Sequence, residues 1–129
     1  MEDKIIYDIS ILYVEDDLFT GKTVLQILKR RVTKVVWAKN GKEALQFFSE
    51  EHFDIIITDG TMPEMGGKEL ASSIRYFGSS IPIICITAHE EPDFTAKAIQ
   101  AGINGILYKP IDKNKILNIL HEYLPQMCK

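Results

Sequence analysis

The stretch Ile55-Ile56-Ile57-Thr58-Asp59-Gly60-Thr61-Met62-Pro63 decides how this chain reads. Successive isoleucines with no polar alternation describe a strand covered on both faces, as in a parallel sheet. The run breaks at one aspartate and then a Gly/Pro turn, so the strand lifts a single carboxylate into the loop beyond its end. Open α/β sheets bind ligands outside the carboxyl ends of their strands, which makes Asp59 the first candidate for chemistry. An aspartate there also serves as an ordinary turn former or helix cap, and the stretch alone leaves both readings open.

Outward from this strand the same figure repeats. Upstream, Ile9–Val14 reads as a strand ending in Glu15-Asp16-Asp17, followed by Leu18, Val24, Leu25 and Leu28 at helical spacing. Lys29-Arg30-Arg31 closes that helix, where cations suit the dipole. Lys34–Ala38 is a short strand, and Asn40-Gly41 turns into a helix with Ala44, Leu45, Phe47 and Phe48 on its apolar side. Downstream, Gly66-Gly67 opens a helix carrying Leu70, Ala71, Ile74 and Phe77. Ile81–Ile86 is a fourth strand ending in Thr87-Ala88-His89, and Pro92 and Gly102 bound a helix over Asp93–Ala101. Asn104–Tyr108 is a fifth strand running into Lys109-Pro110; Asp112 caps a last helix with Ile116, Leu117, Ile119 and Leu120 inward, and Pro125 limits it.

Five strands alternating with five helices predict an α/β fold with a parallel sheet covered on both faces, because parallel strands need crossover connections. In a doubly wound sheet of this kind the ends of strands one, three, four and five converge, bringing Glu15, Asp16, Asp59, Thr87 and Lys109 to one rim. Three carboxylates there repel by roughly 1 kcal/mol per pair in water, and by more in a less polar medium. Lys109 supplies one compensating charge and a divalent cation supplies the rest. Oxygen-only donors with room for water suit Mg²⁺ better than zinc.

Composition narrows the function classes. The chain has 129 residues, with 18 acidic against 15 basic side chains, which suits one domain and gives no electrostatic footprint for nucleic acid. Cys85 and Cys128 show no metal or disulfide spacing, the N-terminus lacks a signal-peptide pattern, and no apolar run approaches membrane-spanning length. A cytoplasmic protein without membrane contact is the expectation.

Glu15-Asp16, Asp59 with Met62-Pro63 and Gly67, Thr87-Ala88 and Lys109-Pro110, in this order and at these strand ends, resemble the receiver domain of two-component response regulators. The resemblance runs from about Ile9 to about Leu124, within a single receiver domain of 1–129. It implies a (βα)5 flavodoxin-like three-layer sandwich with strand order 2-1-3-4-5. It also implies Asp59 as phosphoacceptor, Asp16 as direct Mg²⁺ ligand, Glu15 holding the ion through water, and the Thr61 backbone carbonyl as a further contact. Thr87 and Lys109 would bind phosphoryl oxygens, and Lys109-Pro110 would be a cis peptide. The donor would be a sensor histidine kinase. The reader would be an output domain or protein that recognises the surface of the fourth helix, fifth strand and fifth helix, and receiver–receiver dimers also fall within the family. Such a protein is a phosphorelay receiver that assists its own phosphorylation and dephosphorylation rather than an enzyme. Thr61 and His89 flank the path of water to the phosphorus and would tune its lifetime.

Three positions depart from the family, the first being Glu15 in place of Asp, a common variant that a water-mediated contact should tolerate. Ile106 stands where many receivers carry the Tyr or Phe whose ring turns inward on activation, so switching here is expected to use helix and loop movement instead. Gly66 stands where Asp is frequent, which reads as a surface change of little consequence. Three rival readings fare worse. A haloacid-dehalogenase-type phosphatase needs a second acid two residues from the nucleophile, and Ile57 and Thr61 occupy those positions. A flavodoxin-like FMN carrier needs a hydroxyl- and glycine-rich loop where this chain is acidic. A docking module that works without phosphorylation would have no use for the intact acidic site.

Overall fold

The computed structural model describes residues 6–62 and 65–123. The expectations for Pro63, Leu124, Pro125 and Cys128 lie outside these residues. Five β-α units follow one another: β1 (Tyr7–Val14), α1 (Leu18–Lys29), β2 (Val32–Ala38), α2 (Gly41–Glu50), β3 (Ile55–Asp59), α3 (Gly67–Tyr76), β4 (Ile83–Thr87), α4 (Pro92–Ala101), β5 (Gly105–Tyr108) and α5 (Lys113–Tyr123). The strands form one sheet of order β2-β1-β3-β4-β5, every neighbouring pair parallel. This is the doubly wound fold expected from the sequence.

Strand periodicity divides the core into two layers. Ile9, Ile11, Tyr13, Ile55, Ile57, Ile84 and Ile86 pack against Val24 and Leu28 of α1 and Ile116, Ile119 and Leu120 of α5. Leu12, Val14, Ile56, Ile83 and Cys85 face the other way, against Ala44 of α2, Leu70, Ala71 and Ile74 of α3 and Ala98 of α4. The all-apolar strands follow from this, since both their faces lie under helices.

Helix ends fall where side-chain chemistry puts them. Asp17 caps α1, its carboxylate accepting from the Thr20 N–H at 2.7 Å, and Asn40 caps α2 through the Glu43 N–H at 2.8 Å. Asp112 caps α5 through the Lys115 N–H at 2.9 Å. Gly102 ends α4 in the left-handed region, φ 105°, which favours glycine.

Two apolar residues assigned to buried helix faces are exposed instead. Leu18 is 58% exposed because the buried stripe of α1 begins only at Gly21. Phe77 is 69% exposed because it follows the last residue of α3 and caps the helix instead of extending its inner face.

Arg75 ties the opposite end of the sheet together. Its guanidinium donates to the carbonyls of Gly102 (3.1 and 2.7 Å), Ser79 (3.1 Å) and Ile81 (2.7 Å) and to Asn104 Oδ1 (2.8 Å). The same Asn104 oxygen accepts from the Ile83 N–H at 2.8 Å, so one side-chain pair joins α3, the start of β4 and the turn before β5.

Candidate functional site

The parallel sheet carries its polar strand ends to a common rim. Asp59 is the last residue of β3 and Thr87 the last of β4, while Glu15 and Lys109 directly follow β1 and β5. Carboxylate oxygens of Glu15, Asp16 and Asp59 lie within 4.8 Å of one another. Glu15 and Asp59 are buried and Asp16 is exposed. Lys109 Nζ stands 3.4 Å from Asp59 Oδ1, the one ammonium paired with this cluster among the described residues.

Glu15 is held from three sides. Its backbone N–H donates to Ala38 O at 3.0 Å, and its carbonyl accepts from the Trp37 indole N–H at 2.9 Å. Its Oε2 accepts from the Asp17 N–H at 3.2 Å, whereas Oε1 is buried with no hydrogen-bond partner. Burial, then the charge of Asp59, pushes the Glu15 carboxyl up to about 7. Burial also raises Asp59, against the opposing pull of Lys109. The Tyr13 hydroxyl, buried beside Glu15, is raised by burial and then by the neighbouring carboxylates of Glu15 and Asp59. Buried, crowded carboxyls that resist ionising make a cluster short of positive charge.

The loop after β3 is shaped by close backbone approach. The Gly67 N–H returns to Gly60 O at 3.1 Å, and a Cβ on Gly67 would stand 2.8 Å from Asp59 O. A Cβ on Gly66 would stand 3.0 Å from Gly60 O and from Glu69 Oε1. Gly66 is half-exposed, and a side chain there would press on the Gly60 carbonyl and on the Glu69 carboxylate. Met62 is buried and Met65 packs on the core.

Around this centre, Thr87 is buried and its hydroxyl accepts from the His89 N–H at 3.0 Å. Thr61 is exposed and, with His89, lines an open depression beside Gly60. The His89 ring stacks on Phe94 at 5.1 Å, and its Nδ1 lies 3.5 Å from Glu91 Oε1. Lys109-Pro110 is cis, as the resemblance implied. The Lys109 N–H donates to Thr87 O at 2.8 Å, and Lys115 Nζ donates to the carbonyls of Tyr108 (2.8 Å) and Pro110 (2.7 Å). Ile106 is half-buried against the α2/α3/α4 layer, and the Tyr108 hydroxyl reaches Thr95 Oγ1 at 3.3 Å.

Glu15, Asp16, Asp59 and Lys109 therefore meet at the rim, Thr87 ends the neighbouring strand, Thr61 and His89 line the depression beside Gly60, and Ile106 packs in the α2/α3/α4 layer. Tyr13, Trp37 and Lys115 also take part, and nothing in their sequence neighbourhood pointed to it. Asp17 was legible as a cap, being an aspartate just ahead of a helical stripe.

Residues 11–121 match the response regulator receiver domain family. The chain belongs to that family. The receiver is 37% identical over 117 residues to the Klebsiella oxytoca transcriptional regulatory protein ZraR, covering 90% of this chain and 26% of that protein. It is 32% identical over 116 residues to the uncharacterized 14.6 kDa protein in the sodA1 3′ region of Leptolyngbya boryana, covering 88% of each. The receiver thus spans about a quarter of the first relative and most of the second. A solved co-crystal structure joins the Saccharomyces cerevisiae histidine phosphotransfer signaling protein Ypd1 and the receiver domain of its downstream response regulator Ssk1. The receiver matches it with TM-score 0.89 and 25% identity, covering 98% of this chain and 95% of that one. Two-component signalling is therefore the setting of this domain, and phosphoacceptance rather than classical enzymatic turnover is the general business of its family. Its acidic cluster fits a hard divalent cation: the donors are all oxygen, and one of them is buried without a partner. No described helix is long and apolar enough to cross a membrane.

Proposed function

We propose that Asp59 accepts a phosphoryl group from a partner histidine kinase or histidine phosphotransfer protein, in the cytoplasm. The P–N bond of the donor phosphohistidine breaks as a P–O bond forms at a carboxylate oxygen of Asp59. The observation that carries this reading is the juxtaposition of Asp59 with two further carboxylates and with Lys109 at 3.4 Å. Asp16 would hold Mg²⁺ directly and Glu15 through water, with Asp59 and the Thr61 carbonyl completing the protein's share. The bound ion would neutralise charge on the transferring phosphoryl oxygens. Asp59 supplies the nucleophile, a carboxylate that needs no general base once ionised. The Lys109 ammonium stays beside the phosphoryl group that replaces Asp59's free charge, and the Thr87 hydroxyl turns from its present backbone donor to a phosphoryl oxygen. Thr61 and His89 border the approach of the water that later hydrolyses the acyl phosphate.

Phosphorylation adds roughly −1.5 to −2 charge. By drawing Thr87 and Lys109 inward it would shift the α4–β5–α5 surface toward an output partner or a second receiver, through helix and loop movement, since Ile106 has no polar tip to exchange with solvent. The working unit would be a single receiver domain, 1–129, with its core over about 9–124. Intact mass after incubation with acetyl phosphate, with and without Mg²⁺ and alongside Asp59→Asn, tests the reading. A Mg²⁺-dependent phosphoryl adduct absent from the variant is expected. Failure of the wild-type chain both to form the adduct and to capture beryllofluoride would leave a docking module that works without phosphorylation.

A further inference from the structure

Lys115 is the third residue of α5, and its backbone N–H is already fixed by the Asp112 cap. Its side chain adds nothing to the apolar layer, where Ile116, with Ile111 beside it, does the anchoring. Instead Nζ reaches back over the preceding loop and donates to Tyr108 O at 2.8 Å and Pro110 O at 2.7 Å. Those two carbonyls flank a single residue, Lys109. The Lys109 N–H is held in turn by Thr87 O at 2.8 Å. The backbone of the lysine that faces Asp59 is therefore pinned from β4 on one side and from α5 on the other. Hydrogen bonds from an ammonium are stronger and shorter than neutral ones, and two from one centre fix a loop better than either alone. A long, flexible side chain delivers its charge to one place only if the backbone it springs from is fixed.

We propose that Lys115 is the positioning residue for Lys109: by tying the carbonyls of Tyr108 and Pro110 it sets the direction in which the Lys109 ammonium meets the phosphoryl group on Asp59. The inference rests on the phosphoacceptor reading of Asp59, and it assigns Lys115 no contact of its own with phosphate or metal.

Beryllofluoride, a phosphoryl mimic, is the probe, its binding to the Mg²⁺-loaded full chain followed by fluorine NMR. Lys115→Met is expected to weaken capture about tenfold, the scale of losing hydrogen bonds to a charged group. Mg²⁺ affinity measured without beryllofluoride should stay within about twofold, because Glu15, Asp16 and Asp59 stand at the ends of β1 and β3 and meet this loop only through the Lys109 ammonium. Lys115→Arg, which keeps a cationic donor, should recover most of the loss. In a Lys109→Met background, Lys115→Met should cost nothing more, since its effect passes through Lys109. Unchanged capture by Lys115→Met, an equal loss in both backgrounds, or a parallel loss of Mg²⁺ affinity would each overturn the proposal. Wild-type chain that binds Mg²⁺ but not beryllofluoride would instead overturn the phosphoacceptor reading, an outcome visible before any Lys115 variant is made.

Discussion

Trp37 on β2 donates its indole N–H to the backbone carbonyl of Glu15 at 2.9 Å, so an aromatic side chain of the sheet's edge strand holds the acidic loop in place. The ring has room because α1 presents Gly21 to it: a Cβ there would fall 2.0 Å from Trp37 Cζ2. Gly21→Ala sets two effects against each other. Alanine favours the helix by about 1 kcal/mol, while forcing a methyl into a filled space costs about 1–3 kcal/mol and moves the indole. Sterics should win at so short a separation. Denaturant unfolding should show a net loss of stability together with altered tryptophan fluorescence in the native state; a variant as stable as wild type, with unchanged fluorescence, would contradict the packing described.

The acidic cluster predicts an inverted pH profile in the absence of divalent cations. Burial and Asp59 raise Glu15 from 4.5 to about 7, and burial raises Asp59 as well. The folded chain then binds protons more tightly than the unfolded chain, so this stabilisation is complete below the unfolded value and is lost as pH rises through the folded one. Between about pH 4.5 and 7, stability in EDTA should fall with increasing pH, by up to the order of 3 kcal/mol from Glu15. Asp17 carries the opposite sign: capping Thr20 lowers it below 3.8, so its contribution disappears only under more acid conditions. Mg²⁺ should stabilise strongly at pH 8 and weakly at pH 5, where a proton already occupies Glu15. Urea titrations across this range provide the check, and a flat EDTA profile would count against the reading.

Asp59→Asn removes a carboxylate whose ionisation burial opposes, leaving Lys109 one-third exposed and able to solvate itself. In EDTA at neutral pH the variant should be more stable than wild type by about 1 kcal/mol, with a smaller response to Mg²⁺. Thermal unfolding with and without the ion measures both effects. Destabilisation in EDTA would show that the Lys109–Asp59 pair outweighs the desolvation of Asp59.

Arg75→Lys should destabilise by about 2–4 kcal/mol despite conserving charge, because an ammonium cannot reproduce a planar fork directed at several carbonyls. Hydrogen exchange should quicken in the turn before β5, where Gly102 and Asn104 lose their shared donor. A change confined to α3 would show that the clamp does not reach that turn.

The strands were legible because Ile55–Ile57 and Ile83–Ile86 can be buried on both faces only in a parallel sheet, and that topology alone gathers Glu15, Asp59, Thr87 and Lys109. Helix faces were legible through their middles and not at their ends. Periodicity marks Leu18 and Phe77 as inward but carries no information about where the sheet beneath them stops. Trp37, Arg75 and Lys115 were not legible for another reason. Each reaches backbone carbonyls, and a carbonyl belongs to every residue type, so the partner leaves no trace in the sequence. The nearness of Gly66 to the Gly60 carbonyl was not legible either, because it is a property of the folded loop.

Cys85 lies in β4, between β3 and β5, with its thiol in the layer covered by α2, α3 and α4. Its Sγ would stand 3.0 Å from a Cβ on Gly60, immediately beneath the loop that follows Asp59. Full burial keeps reagent from the thiol and pushes it up to about 12, so almost none is present as thiolate. Alkylation must wait until helices lift from that face of the sheet. Its rate under native conditions, resolved peptide by peptide, would therefore time the breathing of the layer beneath the phosphoacceptor loop, and a ligand that tightens the rim should slow it.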